Sequence, residues 1–252
     1  MGKILFFKVS LYLDILCVEV MIKCVHDSYH FGSSGELAGQ HVDQLIQFFN
    51  VPTTVPDSAM GGRGSVVKKH FEGIGSVVIK SYQRGGFIRH LVKSTYFKWG
   101  KTRSQLEYEI LLKMAGLGVN VPEPVAYAYQ GKFCYRSWLV SREIKQQQTL
   151  AELSCVDEGR TRTVMGKVVD QVSLLIKNNF HHVDLHPGNV LVDSNDRVYI
   201  IDFDKAYFFG GSRKRLWHKY VMRWQRAVIK HRLPGILIEE MSRGFQRNYL
   251  VD

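Results

Sequence analysis

The order of patterns along the chain predicts an α+β protein in two parts. β-Branched runs broken by glycine come first, helical spacing takes over from about Thr149, and no internal repeat or low-complexity tract interrupts either. The balance of the 252 residues agrees. With 45% hydrophobic and 23% charged residues, a disordered chain, a collagen-like fibre and a long coiled coil are all excluded. A chain of this length builds a sizeable core without disulfide or metal staples.

The elements follow in order. Residues 4–22 are largely apolar, but Lys8, Asp14 and Glu19 interrupt them. A mid-bilayer Asp alone costs about 2.5–3.5 kcal/mol, and no small-x-small cleavage site follows a clean apolar core. The expectation is a buried strand or helix, or sequence upstream of the true start with Met21 as a second candidate initiator, in a soluble or peripheral protein inside the cell. Pro52, Pro56 and the turn cluster Gly61, Gly62, Arg63 and Gly64 punctuate the next stretch. Residues 65–71 and 76–82 read as antiparallel strands around Glu72, Gly73, Ile74 and Gly75. Leu106, Ile110, Leu111 and Met114 place one apolar stripe on a helix from about Arg103, which Pro122 and Pro124 bring to an end. Residues 133–143 read as a further strand. Val164, Val168, Val169, Val172, Leu175 and Ile176 recur at threes and fours, as on a buried helix face. Residues 189–192 and 198–201 are two short strands around the turn residues Asp193, Ser194, Asn195 and Asp196, and the tail from Trp217 is helical. A hinge is expected near 143–150.

Cys17, Cys24, Cys134 and Cys155 form no C-x-x-C pair and read as free, mostly buried thiols of a reducing compartment. The net charge of +11 points to an anionic partner: nucleic acid, an acidic membrane face or a phosphorylated substrate. The charge is concentrated. Between Glu72 and Glu107 lie Lys80, Arg84, Arg89, Lys93, Lys98, Lys101 and Arg103 with no acid. From Arg213 to Arg232 there are Arg213, Lys214, Arg215, Lys219, Arg223, Arg226, Lys230 and Arg232, again with none. Trp217, Tyr220, Trp224 and Val228 interleave with this second run at helical spacing. Either a basic amphipathic helix meets an anionic membrane, or a solvated basic face backs onto a core that holds Trp217 and Trp224.

The most informative stretch runs through His181, His182, Asp184, His186 and Asn189, followed by Asp202, Phe203 and Asp204. Asp184 and Asn189 are five apart; Asp184 and Asp202 are eighteen apart. Phosphoryl transfer asks for an oriented hydroxyl, a carboxylate to accept its proton, and hard oxygen ligands for a divalent cation. Asp184 is the candidate carboxylate, and Asn189 and Asp202 are candidate Mg²⁺ ligands. A hairpin between the two ligands would return them to one site. The histidines do not have zinc spacing. The bland alternative makes His182 a packed core residue and Asp184 the cap of a turn.

This arrangement resembles the catalytic loop and metal-binding Asp of the protein kinase-like superfamily. The resemblance implies a bilobal fold with a small antiparallel β-rich N-lobe and a mainly helical C-lobe. Residues 51–148 would form the N-lobe, 149–252 the C-lobe with its basic helix, and 1–50 an extension packed on the N-lobe. It also implies a site for ATP. Gly62, Arg63 and Gly64 would be the phosphate-covering turn. Lys80, closing Val77-Val78-Ile79-Lys80 where the superfamily carries V-A-I-K, would be the lysine on the phosphates. Glu107 would pair with it, with Glu109, facing another side of the helix, as the competing candidate.

The order of Gly62-Arg63-Gly64, Tyr82-Gln83-Arg84-Gly85-Gly86, Arg103-Ser104, Val121-Pro122-Glu123-Pro124 and Asp202-Phe203-Asp204-Lys205 is similar to bacterial Kdo kinases, among the lipopolysaccharide core kinases. That resemblance implies an ATP- and Mg²⁺-dependent enzyme on the cytoplasmic side of the bacterial inner membrane. It would phosphorylate the 4-hydroxyl of the Kdo sugar on a lipid A precursor. Asp184-Leu185-His186-Pro187-Gly188-Asn189 stands where family members often carry D-L-N-x-H-N, a form shared with heptose kinases and small-molecule phosphotransferases. The absence of A-P-E argues against a protein kinase. No nucleic acid and no obligate protein partner are expected. A basic nucleic-acid-binding or non-catalytic module is the reading from another class, and it has no need of Lys80, Glu107, Asp184, Asn189 and Asp202 together.

Overall fold

The computed structural model describes residues 5–10, 20–50, 64–82, 96–97, 100–132 and 134–249. The chain divides into two units, residues 1–112 with 123–143 and residues 113–122 with 144–252.

Unit 1 is built on an antiparallel sheet. Its strands are β1 (Leu5–Ser10), β2 (Val20–His26), β3 (Tyr29–Ser33), β4 (Gly64–Phe71), β5 (Gly75–Tyr82), β6 (Tyr96–Phe97), β7 (Pro124–Gln130) and β8 (Cys134–Arg142). The strand order is β1-β2-β3-β7-β8-β5-β4, and β6 pairs with the start of β8. Residues 5–50, read above as an extension, thus contribute three strands and the helix α1 (Gly39–Asn50) to this unit. Val42, Leu45 and Phe49 of α1 bury against Tyr29, Phe31, Val77, Ile79, Trp138 and Val140. Phe49 stacks on Trp138 with ring centroids 4.4 Å apart. Between β4 and β5 the chain reverses through Gly73 and Gly75 at φ of 80° and 87°, backbone that side chains with a Cβ seldom adopt.

The helix α2 (Arg103–Gly116) corrects the expected stripe. Its buried face is Ser104, Glu107, Tyr108, Leu111 and Met114, whereas Leu106 is exposed. Polar groups displaced the leucine because each one on the inner face has a partner. Ser104 Oγ donates to the Ala128 carbonyl (3.2 Å), and the Tyr108 hydroxyl accepts from Ser34 N–H (2.6 Å). Buried polar groups so satisfied cost little, and a hydropathy stripe cannot foresee them.

Unit 2 is mainly helical. It comprises β9 (Gln148–Thr149), α3 (Leu150–Val156), α4 (Glu158–Lys177), β10 (Phe180–His181), β11 (Val190–Val192), β12 (Val198–Ile200), β13 (Tyr207–Phe208), α5 (Arg213–Lys230) and α6 (Ile236–Tyr249). Thr149 starts α3 with a capping box: its hydroxyl accepts from Glu152 N–H, and the Glu152 carboxylate accepts from Thr149 N–H. The valine, leucine and isoleucine positions read off α4 are all buried. Gly244 lets α6 approach α4 closely, since a Cβ there would sit 2.6 Å from Val169 Cγ2.

Of the α5 aromatics, Tyr220 and Trp224 belong to the core and Trp217 is half-buried. Tyr220, Trp224 and Val228 are buried with Leu216, and Trp224 Nε1 donates to the Leu237 carbonyl at 3.0 Å. The outer surface keeps Arg213, Lys214, Arg215, Lys219, Arg226 and Lys230, along with exposed Met222 and Ile229. Among the described cysteines, Cys24 is buried but Cys134 and Cys155 are exposed, and all three are free thiols. No helix among the described residues is long and apolar enough to cross a membrane.

Candidate active site

In unit 1 the alternation of β5 decides what Lys80 meets. Val77 and Ile79 face the core, and Lys80 and Tyr82 emerge together on the other face. Both reach Glu107. Lys80 Nζ donates to Glu107 Oε2 at 2.8 Å and Oε1 at 3.0 Å, and the Tyr82 hydroxyl donates to Oε2. Glu107 is 2% exposed and Lys80 21%. A carboxylate this deep stands only because a cation and a hydroxyl satisfy it. Glu109 goes elsewhere: Lys101 binds it at 2.6 Å and Gln105 Nε2 at 3.1 Å. The glycine-rich turn lies partly outside the described residues, with neither Gly62 nor Arg63 described and Gly64 opening β4.

In unit 2 the second site grows from the end of α4. Asn179 takes a left-handed φ of 51° and turns the chain into β10, which pairs with β13 in the register Phe180 to Phe208 and His181 to Tyr207. The Tyr220 hydroxyl donates to the Phe180 carbonyl (2.7 Å) and accepts from His182 N–H (2.8 Å), so α5 grips the loop on both sides of His181. His182 is buried, and its Nε2 lies 2.9 Å from the Ile201 carbonyl, next to Asp202. It is a packed core histidine, and its role is to join the two halves of the site. Among the described residues no cluster of histidine, cysteine and carboxylate side chains is arranged to hold a metal ion.

Asp184 stands on the following turn, 52% exposed. His186 then caps a single 3-10 turn, Pro187–Asn189, where its Nδ1 accepts from Gly188 N–H at 3.1 Å. That nitrogen therefore carries no proton. Burial lowers the His186 pKa, Asp184 opposes this, and Arg223 and His231 add to the lowering. Asn189 closes the turn. Its Nδ2 donates to the Asp184 carbonyl at 3.0 Å, and its own carbonyl accepts from Ile201 N–H at 3.0 Å. With the amide nitrogen turned to the Asp184 carbonyl, the amide oxygen is the acceptor that can face a ligand.

The hairpin β11–β12 pairs Val190 with Ile200 and Val192 with Val198, with Asp193 Oδ1 accepting from Asn195 and Arg197 N–H to shape the turn. It delivers the chain back to Asp202, which sits at φ 65°, an unusual conformation for a residue other than glycine and one that recurs at functional sites. Within one unit, Asn189 is thus tied to Asp184 by its side chain and to Ile201, the neighbour of Asp202, by its backbone. An amide oxygen and a carboxylate are hard donors. They fit Mg²⁺, which binds a few protein oxygens and keeps water and phosphate as further ligands.

One neighbour was not foreseen. Arg223 of α5 makes an ion pair from Nη2 to Asp184 Oδ1. The two are thirty-nine residues apart, and nothing in local spacing signals the contact; only the acid-free basic run hinted that α5 mattered.

A residue set of this kind, in a chain whose residues 47–225 match the model of the family described as lipopolysaccharide kinase (Kdo/WaaP), defines a phosphotransferase of the kinase class. A 3-deoxy-D-manno-octulosonic acid kinase of Vibrio vulnificus (strain CMCP6) is 31% identical over 164 residues, 64% of this chain and 68% of that protein. A protein of the same name from Xylella fastidiosa (strain M23) is 31% identical over 193 residues, 74% of each. Another, from Vibrio parahaemolyticus serotype O3:K6, is 28% identical over 160 residues, 62% of this chain and 67% of the relative. The chain belongs to the lipopolysaccharide kinase (Kdo/WaaP) family.

Proposed function

We propose that the protein is an ATP-dependent kinase that phosphorylates the 4-hydroxyl of the Kdo sugar on a lipid A precursor. The observation that carries this reading is the Asp184–Asn189–Asp202 loop and hairpin, lying within the segment that matches the family. The names of the relatives supply the acceptor sugar.

In this reading unit 1 serves as the N-lobe. Lys80, held by Glu107 and Tyr82, presents its ammonium to the α- and β-phosphates, with Gly62, Arg63 and Gly64 covering them. Unit 2 serves as the C-lobe. Asp184 orients the acceptor hydroxyl and takes its proton as the oxygen attacks the γ-phosphorus. The bond from the γ-phosphorus to the bridging oxygen breaks, and ADP leaves. Mg²⁺, held by Asn189 and Asp202, would neutralise charge on the phosphates. General-base and positioning contributions of this sort are worth about 10²–10⁴-fold.

The exposed cations of α5 support a place on the anionic cytoplasmic face of the bacterial inner membrane, each worth about 1 kcal/mol near acidic lipid. With Trp224 and Tyr220 buried, this attraction is largely electrostatic, so binding to phosphatidylglycerol vesicles weakens steeply with salt.

The test is mass-spectrometric detection of phosphate transfer from ATP to Kdo–lipid A precursor by the purified protein. One added phosphate on the Kdo 4-position is expected, with Asp184→Ala reducing the rate about 10²–10⁴-fold. Transfer only to a heptose-bearing acceptor, or to protein, would overturn the acceptor assignment.

A further inference from the structure

We infer that Arg223 selects an acidic sugar as acceptor, its guanidinium binding the acceptor's carboxylate beside the hydroxyl that Asp184 receives. The inference rests on the kinase reading above and deepens it.

Arg223 is placed by buried neighbours on its own helix. Tyr220, three residues earlier, is tied to the Phe180 carbonyl and His182 N–H, and Trp224, the next residue, is anchored to the Leu237 carbonyl. The register of α5 against the Asp184 loop is therefore set by core bonds, and the guanidinium arrives at Asp184 with little ordering left to do. Arg223 is 26% exposed and Asp184 52%, so water or a ligand reaches both.

A guanidinium has five N–H donors in a planar fork that matches a carboxylate. Among the described residues Arg223 spends one nitrogen, on Asp184 Oδ1. The rest of the fork is available to a second oxyanion adjacent to Asp184. Of the charged groups that act on neighbouring His186, Arg223 is the permanent cation, the others being Asp184 and histidines.

The position identifies the ligand. Asp184 must touch the acceptor hydroxyl if it is to receive the proton, so a cation bonded to Asp184 lies beside the acceptor sugar. An octulosonic acid carries its carboxylate close to that hydroxyl, with only the anomeric and the deoxy carbons between them. Neutral sugars have no such group. Arg223 then keeps one N–H on Asp184 and offers the fork to the carboxylate, fixing the hydroxyl against the base.

The experiment compares the full-length protein with Arg223→Gln and Arg223→Lys, using ATP, Mg²⁺ and two acceptors: Kdo–lipid A precursor and the same lipid with the Kdo carboxyl as its methyl ester. The wild-type protein is expected to favour the acid at least about tenfold in kcat/KM, the scale of one lost charge-assisted bond. Arg223→Gln should lower kcat/KM for the acid about tenfold or more, mainly through KM, and bring the acid-to-ester ratio close to one. The KM for ATP should stay within about twofold, and Arg223→Lys should fall between. The ratio is internal to each protein and is unaffected by the fraction folded. Three results from the variants overturn the inference: a variant that keeps the wild-type ratio, equal loss of kcat on both acceptors, which would make Arg223 a positioning residue for Asp184, or a raised KM for ATP alone, which would place it on the donor phosphates. Equal use of acid and ester by the wild type overturns it while leaving the kinase reading intact. Absence of transfer to either acceptor overturns both.

Discussion

Two ion pairs in this protein use the same elements of chemistry for opposite ends. Lys80–Glu107 in unit 1 is buried: both carboxylate oxygens are engaged, Tyr82 adds a third bond, and Glu107 is 2% exposed. Asp184–Arg223 in unit 2 is open, a single contact with Asp184 52% exposed. A buried pair cannot lose a partner cheaply, because the survivor is left desolvated and unpaired. An open pair exchanges partners with water or ligand at little cost, and such pairs contribute about 0–1 kcal/mol to stability. The first arrangement makes a rigid feature of the fold. The second leaves side chains available to a substrate.

The sharpest way to break this contrast is to delete one acid from each pair. Glu107→Ala should cost about 3 kcal/mol of folding stability, read from urea unfolding. Asp184→Ala should change stability by no more than about 0.5 kcal/mol while nearly abolishing transfer. Equal destabilisation by both would mean that Asp184 belongs to the framework after all.

Acid should act on the unit 2 site through His181. Burial, then nearby Lys219 and His182, lowers its pKa from 6.5 to about 4. In the unfolded chain it takes up a proton near pH 6.5, and in the folded protein only near pH 4. The folded state therefore loses stability as pH falls through that window, by on the order of 2 kcal/mol. His186, also lowered by burial, adds in the same direction. The denaturation midpoint followed between pH 7 and pH 4 should drop less steeply in His181→Gln. An unchanged slope would show that the imidazole is not the titrating group.

The smallest effect sharpens the boundary of unit 2. Thr149→Ala removes the hydroxyl of the capping box and should cost about 1 kcal/mol, with catalytic rates unchanged once the protein is folded. Loss of activity beyond the folded fraction would tie α3 to the site.

Much of this was legible in the residues. The α4 face, the hairpin between Val190 and Ile200, the strand carrying Lys80 and the helix carrying Glu107 all follow from periodicity, because a strand alternates and a helix repeats whatever surrounds it. The face of α2 was only partly legible. Leu111 and Met114 are buried as their spacing predicts, but Leu106 is exposed, and Ser104 and Tyr108, hydrogen-bonded to Ala128 and Ser34, share the inner face. The fate of the α5 aromatics was not legible, since a periodic stripe of Tyr220, Trp224 and Val228 serves a membrane or a core equally well until α6 is seen to supply the Leu237 carbonyl.

The sequence by itself determined the two-part α+β character, the basic charge and the spacing of Asp184, Asn189 and Asp202, because composition and local repeat are properties of neighbours along the chain. Only the tertiary structure decided which polar residues are buried, that Glu107 and not Glu109 meets Lys80, and that Arg223 stands beside Asp184. Those outcomes depend on which groups distant in sequence satisfy one another's charge and hydrogen bonds, and no spacing along the chain encodes that choice.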